Sequence, residues 1–146
     1  MFCRILVPVD GSRFATHAVE TASDLARSYD ASVHLLHVIR DMSLPQEIMD
    51  MIAAGEVTAS RKEILEDSAE IMLENARERL DQAGISNVQS RYVTGNPATE
   101  IADYAARNGI DLIVIGRRGL GPEGGLLGSV TRKLLNRSEI ACLVVT

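Results

Sequence analysis

The sequence predicts an α/β fold, a single doubly wound parallel sheet with helices on both faces. Short runs rich in Ile, Leu and Val alternate with amphipathic stretches whose apolar residues recur at helical spacing. Strands that alternate with helices pair in parallel through right-handed crossovers. Near-continuous apolar strands are typical of a sheet that is buried on both sides. With 146 residues and 46% hydrophobic residues, the chain is expected to form one domain, residues 1–146.

Five strands and four helices are expected in strict alternation. The predicted strands are residues 3–9, 32–39, 88–94, 111–115 and 140–145. The predicted helices are residues 13–29, 58–82, 97–108 and 129–136. In the second helix the residues at helical spacing are Ile64, Leu65, Ile71, Met72, Ala76 and Leu80.

Residues suited to helix ends support these boundaries. The Ser12 hydroxyl can accept a hydrogen bond from a free N–H in the first turn of the first helix. Asn96 and Pro97 begin the third helix, since proline at the first helical position loses no hydrogen bond. Gly84 and Gly109 end the second and third helices, because glycine adopts the left-handed backbone at little cost.

Composition excludes several classes of function. A net charge of −5 and a pI near 5.2 argue against nucleic acid as a ligand, because phosphate backbones require concentrated positive charge. No apolar run approaches the roughly 20 residues of a membrane span. The first residues run directly into a strand pattern, with no apolar signal region, so the protein is expected in the cytoplasm.

The cysteines and histidines show no catalytic spacing. Cys3 and Cys142 are interpreted as small buried apolar residues of strands, without a disulfide. His17, His34 and His37 are interpreted as structural, and no metal-ligand spacing is present. Residues 40–57 are irregular and contain three methionines, which predicts either a short helix over the sheet or an adaptable surface for a partner.

Two strand ends carry residues suited to a ligand. Asp10, Gly11 and Ser12 follow the first strand, and six of the 11 glycines lie between Gly116 and Gly128, after the fourth strand. In open α/β sheets, ligands bind beyond the carboxyl ends of the strands, where the strand order reverses. These two stretches are therefore the candidate site.

Residue chemistry at the candidate site favours an anion. Glycines allow close approach of the backbone, and the following helix start attracts phosphate. Ser129 adds a hydroxyl, Arg117 and Arg118 add positive charge, and Asp10 suits sugar hydroxyls or a phosphate-bound cation. A mobile connection without a ligand is the alternative. No P-loop lysine, Rossmann glycine motif, nucleophile elbow or zinc-protease motif is present.

The chain resembles the universal stress protein family over essentially its whole length. The matching pieces, in chain order, are Ile5-Leu6-Val7-Pro8-Val9-Asp10-Gly11-Ser12, Leu35-Leu36-His37-Val38-Ile39, Gly95-Asn96-Pro97, Asp111-Leu112-Ile113-Val114-Ile115-Gly116 and Cys142-Leu143-Val144-Val145. The resemblance implies the strand order 3-2-1-4-5, a sheet shared with adenine-nucleotide α-hydrolases. It also implies a homodimer in which the last strands of two subunits pair.

The nucleotide-binding branch of this family carries Gly-x2-Gly-x9-Gly-Ser/Thr, and the resemblance implies that the chain binds ATP, with or without Mg²⁺. Here eight residues, including Pro122 and Glu123, separate Gly119 from Gly128. The residues implied to contact the nucleotide are Pro8, Val9, Asp10, Ser12, Val38, Ile115, Gly116, Arg117, Arg118, Gly119, Gly128, Ser129, Val130 and Thr131.

Three hypotheses of function follow. The first is a dimeric, ATP-binding stress-response sensor or regulator with at most slow hydrolysis, because no general base is positioned by any motif. The second is an interaction module that binds no nucleotide and acts through dimer and partner contacts. The third, an α-hydrolase-type enzyme, is disfavoured because 146 residues leave no room for a substrate domain.

Overall fold

The computed structural model describes residues 1–40, 60–120 and 126–146, which form alternating strands and helices as predicted. The strands are β1 (Arg4–Pro8), β2 (Ser32–Arg40), β3 (Val88–Gly95), β4 (Leu112–Gly116) and β5 (Ala141–Val145). The helices are α1 (Arg13–Tyr29), α2 (Ser60–Gln82), α3 (Pro97–Arg107) and α4 (Ser129–Arg137). The predicted boundaries differ from these by one or two residues.

The strands form one parallel sheet in the order β3-β2-β1-β4-β5, which confirms the predicted fold. The chain moves outward from β1 to β3 and then returns to the other side of β1. The strand order therefore reverses between β1 and β4, and their carboxyl ends border a crevice.

Each face of the sheet has its own core. On one face, α1 and α2 cover alternate residues of β1 and β4, including Ile5, Val7 and Val114. On the other, α3 and α4 cover Leu6 and Ile113. Leu134 of α4 is completely buried in this second core. Burial of a leucine side chain contributes about 2 kcal/mol, which holds the short helix α4 against the sheet.

Helix caps follow the sequence prediction. The Ser12 hydroxyl oxygen accepts from the Ala15 N–H at 3.1 Å, and the Asn96 side chain accepts from the Thr99 N–H. Gly84 and Gly109 both have positive φ angles, 83° and 63°, after α2 and α3.

Of the apolar residues at helical spacing in α2, Ala76 and Leu80 are buried, whereas Ile64 and Ile71 are 64% and 61% exposed, because the buried stripe of α2 runs through Ala69, Leu73, Ala76 and Leu80. The expectation that Cys3 is buried in a strand is wrong. Cys3 is exposed, since it lies one residue before β1 at the amino edge of the sheet. The alternatives for residues 41–57 fall outside the described residues. No helix in the described part of the chain is long and apolar enough to cross a membrane.

Candidate functional site

The two stretches singled out in the sequence meet at the crevice between β1 and β4. The Asp10 carboxylate lies against Gly119, so closely that a Cβ atom on Gly119 would overlap Asp10 Oδ2. The residue after β1 and the glycine after β4 thus form opposite sides of one site. We call residues 10–12 the Asp10 wall and residues 128–131 the α4 wall.

The Asp10 wall is held by its own hydrogen bonds. Asp10 Oδ1 accepts from the Ser12 N–H at 2.9 Å, an Asx turn that fixes the carboxylate. Gly11 completes this turn with a φ of +82°, which other residues adopt only with strain. The Ser12 side chain is buried and committed to capping α1. Only the second oxygen of Asp10 is left facing Gly119.

Gly116 joins helix α1 to the α4 wall. A Cβ atom at this position would lie 2.7 Å from Phe14 Cβ and 2.9 Å from the Phe14 carbonyl carbon. The absence of a side chain therefore lets the end of β4 pack directly on α1. The Gly116 carbonyl also accepts from the buried Thr131 hydroxyl of α4 at 2.8 Å. These contacts give Gly116 and Thr131 structural tasks.

Arg117 ties the ends of the glycine-rich loop together. Its N–H donates to the Val145 carbonyl at 2.7 Å, and its carbonyl accepts from the Gly128 N–H at 2.8 Å. Its Nε donates to the Leu126 carbonyl at 2.5 Å. The guanidinium is thus used within the loop, which brings α4 back to the end of β4.

The α4 wall presents free backbone donors. Helix α4 begins after Gly128, which has no side chain to cap it, and the first turn holds no acidic residue. The Arg132 N–H donates to the Gly128 carbonyl, but no described residue accepts from the N–H of Ser129 or Val130. Ser129 is exposed. Free N–H groups at the positive end of a helix dipole form a site for an anion.

Apolar residues predicted for the site divide between the two faces of the sheet. Val38, Ile115 and Val130 pack on the α3–α4 face, and Pro8 is half-buried at the end of β1. Val9 belongs to the other core and is 6% exposed. The alternation Ile5, Val7, Val9 in β1 was the sequence signal for this placement.

Two histidines of β2 are hydrogen-bonded to neighbouring parts of the fold. His37 Nδ1 donates to the Val9 carbonyl at 2.7 Å and so supports the end of β1. His34 is buried on the α3–α4 face, where its Nδ1 lies 2.8 Å from the Tyr104 hydroxyl of α3. Burial, together with the positive charge of Arg4, lowers the pKa of His34 below its ordinary value of 6.5. Burial raises the pKa of Tyr104, so both groups are neutral near pH 7.

Among the described residues, no three His, Cys, Asp or Glu side chains are grouped to hold a metal ion. Residues 121–125, which include Glu123, lie outside the described part of the chain. What the described residues provide is a fixed carboxylate on one side of a narrow crevice and a helix N-terminus on the other.

Comparisons with known proteins agree with this fold. A model of the universal stress protein family matches residues 1–146. Universal stress protein YxiE of Bacillus subtilis is 32% identical, and the alignment covers 99% of each chain. The structure of MJ0577 from Methanocaldococcus jannaschii is 30% identical with a TM-score of 0.82, covering 99% of this chain and 96% of that chain.

A further similar structure is that of a universal stress protein in complex with cAMP. It is 25% identical, has a TM-score of 0.75 and covers 99% of this chain and 97% of that chain. The whole-chain family match, the relatives and the shared strand order agree with one another. The chain therefore belongs to the universal stress protein family.

Proposed function

We propose that this protein is a stress-response regulator that binds an adenine nucleotide, ATP in particular, in the crevice between the Asp10 wall and the α4 wall. One observation supports the proposal most directly. The N–H groups of Ser129 and Val130 have no acceptor among the described residues and can bind an anion, while the Asp10 carboxylate contacts Gly119 nearby. A ligand with a sugar at one end and phosphate at the other matches this division of charge.

The orientation of the nucleotide follows from the charges. The Asp10 carboxylate would accept hydrogen bonds from ribose hydroxyls and repel phosphate. Val38 and Pro8 would contact the adenine, since they lie at the carboxyl ends of β2 and β1. The Ser129 and Val130 amides would then bind the phosphates. The relative that was solved with cAMP supports an adenine nucleotide.

Mg²⁺ would be held mainly by the nucleotide. The described residues provide no cluster of metal ligands, and Mg²⁺ commonly binds through substrate phosphates and one or two carboxylates. We propose that hydrolysis is slow at most, because no motif supplies a phosphate-binding lysine or a positioned general base. The protein would thus act in the cytoplasm as a sensor whose state depends on the bound nucleotide.

Nucleotide binding is tested by titration calorimetry and thermal unfolding with ATP, with GTP as the control for the base. At a concentration 100 times the Kd, a ligand stabilises the folded state by about 2.7 kcal/mol. Gly128→Val should abolish this effect, because a Cβ at Gly128 already lies 3.2 Å from Arg118 Cα and a branched side chain would cover the start of α4. The unliganded variant is checked for native unfolding. No stabilisation of the wild type by millimolar ATP and Mg²⁺ would refute the proposal.

We also propose that two subunits pair through β5. This strand is at the edge of the sheet, and its Leu143 side chain is 39% exposed. An apolar edge strand is prone to pair with another chain unless it is covered. Leu143→Lys should convert a dimer into a monomer in analytical ultracentrifugation, with Gln89→Lys on the opposite edge strand, β3, as the control. A wild-type monomer at micromolar concentration would contradict this arrangement.

An interaction module without nucleotide is the second candidate, and one feature favours it. Ile64 and Ile71 are 64% and 61% exposed on α2, more than Tyr29 of α1 and Leu135 of α4, which are 42% and 40% exposed. If the wild type binds no nucleotide, Ile64→Glu with Ile71→Glu should abolish cross-links to a partner in cell extracts. Unchanged cross-links would exclude this surface.

A further inference from the structure

A second cavity adjoins the crevice on the α1 side. It has a volume of about 260 Å³, and its lining includes Arg13, Phe14, Arg118 and Gly119. Gly119 is also the residue that contacts Asp10. Gly119 thus borders both the cavity and the crevice. Among the described residues, no acidic side chain lines the cavity.

The guanidinium of Arg118 is held at this cavity by an aromatic ring. It lies 5.3 Å from the centre of the Phe14 ring, within the range of a cation–π contact. Arg13 contacts the same ring at 5.0 Å. The Nε–H of Arg118 is shielded from solvent and has no hydrogen-bond partner among the described residues. Among the described residues, the contact that positions Arg118 is therefore the ring of Phe14 and not a carboxylate. A buried donor without an acceptor is costly, so an acceptor supplied by a ligand would be favourable.

Arg118 lies directly beside the α4 wall. The position of a Cβ atom on Gly128 is 3.2 Å from Arg118 Cα and 3.7 Å from the Gly119 nitrogen. The backbone of Arg118 therefore lies next to Gly128, the residue that precedes the first amides of α4. The Arg117 Nε–H is hydrogen-bonded to the Leu126 carbonyl, whereas the Arg118 Nε–H has no partner among the described residues. Of these two consecutive arginines, Arg118 is therefore the one with a buried donor left for a ligand.

We propose that Arg118 makes the site selective for the number of phosphates, by binding the phosphates beyond the first one. This inference rests on the proposed nucleotide site. The amides of Ser129 and Val130 bind the first phosphate, which AMP and ATP share. Arg118 binds the next phosphates, for which a planar guanidinium with several donors is suited. The selectivity for ATP over AMP then depends on one side chain.

Calorimetric titration of the full-length protein with ATP, ADP and AMP tests this selectivity. Arg118→Gln should weaken ATP binding by about tenfold, while AMP binding changes less than about twofold, since the variant removes a charge-assisted hydrogen bond to the outer phosphates alone. Arg118→Lys, which keeps the charge and loses the planar donors, should fall between. Arg107→Gln removes the same charge from the exposed end of α3 and should leave all three affinities unchanged.

The outcomes separate this inference from the proposed function. An equal loss of ATP and AMP affinity in Arg118→Gln, or no loss of either, overturns the selectivity while the nucleotide site stands. Wild-type protein that binds none of the three nucleotides overturns the proposed function and the selectivity with it. Chemical unfolding of each variant without nucleotide shows whether loss of the Phe14 contact has altered the fold. If Arg118→Gln is altered, the ATP and AMP affinities of Arg118→Lys are compared instead, and an equal loss of both overturns the selectivity.

Discussion

The two walls of the crevice are built in opposite ways. In the Asp10 wall, one carboxylate oxygen accepts from Ser12 and the Ser12 hydroxyl caps α1, while the second carboxylate oxygen faces Gly119. The α4 wall leaves the amides of Ser129 and Val130 without acceptors among the described residues, and its N-cap is a glycine. The first wall is held in place by hydrogen bonds within the protein, whereas the amides of the second would be satisfied by an anion.

Stability and affinity should therefore respond to different substitutions. Changes to the hydrogen bonds of the Asp10 wall remove contacts that exist in the folded protein, so they should lower its stability. Changes to the α4 wall affect groups that await a ligand, so they should alter nucleotide affinity first. Gly116 contacts both Phe14 of α1 and Thr131 of the α4 wall and should affect the fold most strongly.

Gly116→Val is expected to have the largest effect. Its Cβ would overlap Phe14 Cβ and backbone, which forces β4 and α1 apart and disturbs the Thr131 hydrogen bond. Overpacking of this kind should lower the free energy of unfolding by about 3 kcal/mol. Urea unfolding monitored by circular dichroism measures it. Gly128→Ala, with a φ of −63° at that residue, is the matched control and should cost much less.

His34→Gln should change how the contact between β2 and α3 responds to acid. The folded protein holds His34 neutral with a pKa lowered by burial, so below pH 6.5 the unfolded chain binds more protons than the folded one. Stability is therefore complete above pH 6.5 and declines as the pH falls below it. Thermal unfolding between pH 8 and pH 5 measures this decline.

The variant should be less stable than the wild type at pH 8 by about 1.5 kcal/mol, because the hydrogen bond to Tyr104 is weakened. Its stability should also fall less steeply than that of the wild type as the pH drops below 6.5. His17→Gln, at an exposed position of α1, is the control for the loss of an imidazole outside the core. An identical acid response in His34→Gln would exclude His34 as its source.

Ser129→Asp should move stability and affinity in opposite directions. A carboxylate in the first turn of α4 interacts favourably with the helix dipole and should add about 0.5 kcal/mol of stability. The same charge repels phosphate and should weaken ATP binding by at least about tenfold. Thermal unfolding and calorimetry on one preparation measure both. An affinity equal to that of the wild type would show that the phosphates bind elsewhere.

Ser12→Ala tests the other wall and has the smallest expected effect on binding. Loss of the cap of α1 should cost about 1 kcal/mol of stability. ATP affinity should stay within about twofold of the wild type, since the Ser12 oxygen is buried and faces Ala15. If Ser12→Ala loses more binding free energy for ATP than free energy of unfolding, the Asp10 wall contributes to affinity more than to stability, contrary to this expectation.

Most of the fold could be predicted from the sequence because its signals are local. Strands of Ile, Leu and Val, and caps such as Ser12 and Asn96, need only neighbouring residues to be recognised. The exposure of Ile64 and Ile71 could not be predicted from the sequence. Helix α2 has apolar residues on two sides, and only tertiary packing determines that the side with Ala69 and Leu73 is buried.

The site was predictable to the level of its two stretches, which the structure brings into contact. The separation of roles within it depends on atoms distant in sequence. Thr131 donates to Gly116, and Arg117 closes the loop on Leu126, and neither hydrogen bond could be predicted from the spacing of residues. The resemblance to the family implied a nucleotide contact for both residues. The stacking of Arg118 on Phe14 joins residues 104 positions apart, and no pattern of spacing indicates it.

A backbone amide NMR titration of the wild-type protein with ATP locates the bound nucleotide. The largest shifts are expected at the amides of Ser129 and Val130, with smaller ones at Asp10 and Gly119, and Ser12 and Ala15 should change little. Shifts confined to α1 and α2, or the absence of any shift at Ser129 and Val130 under saturating ATP, would show that the phosphates do not bind at the start of α4.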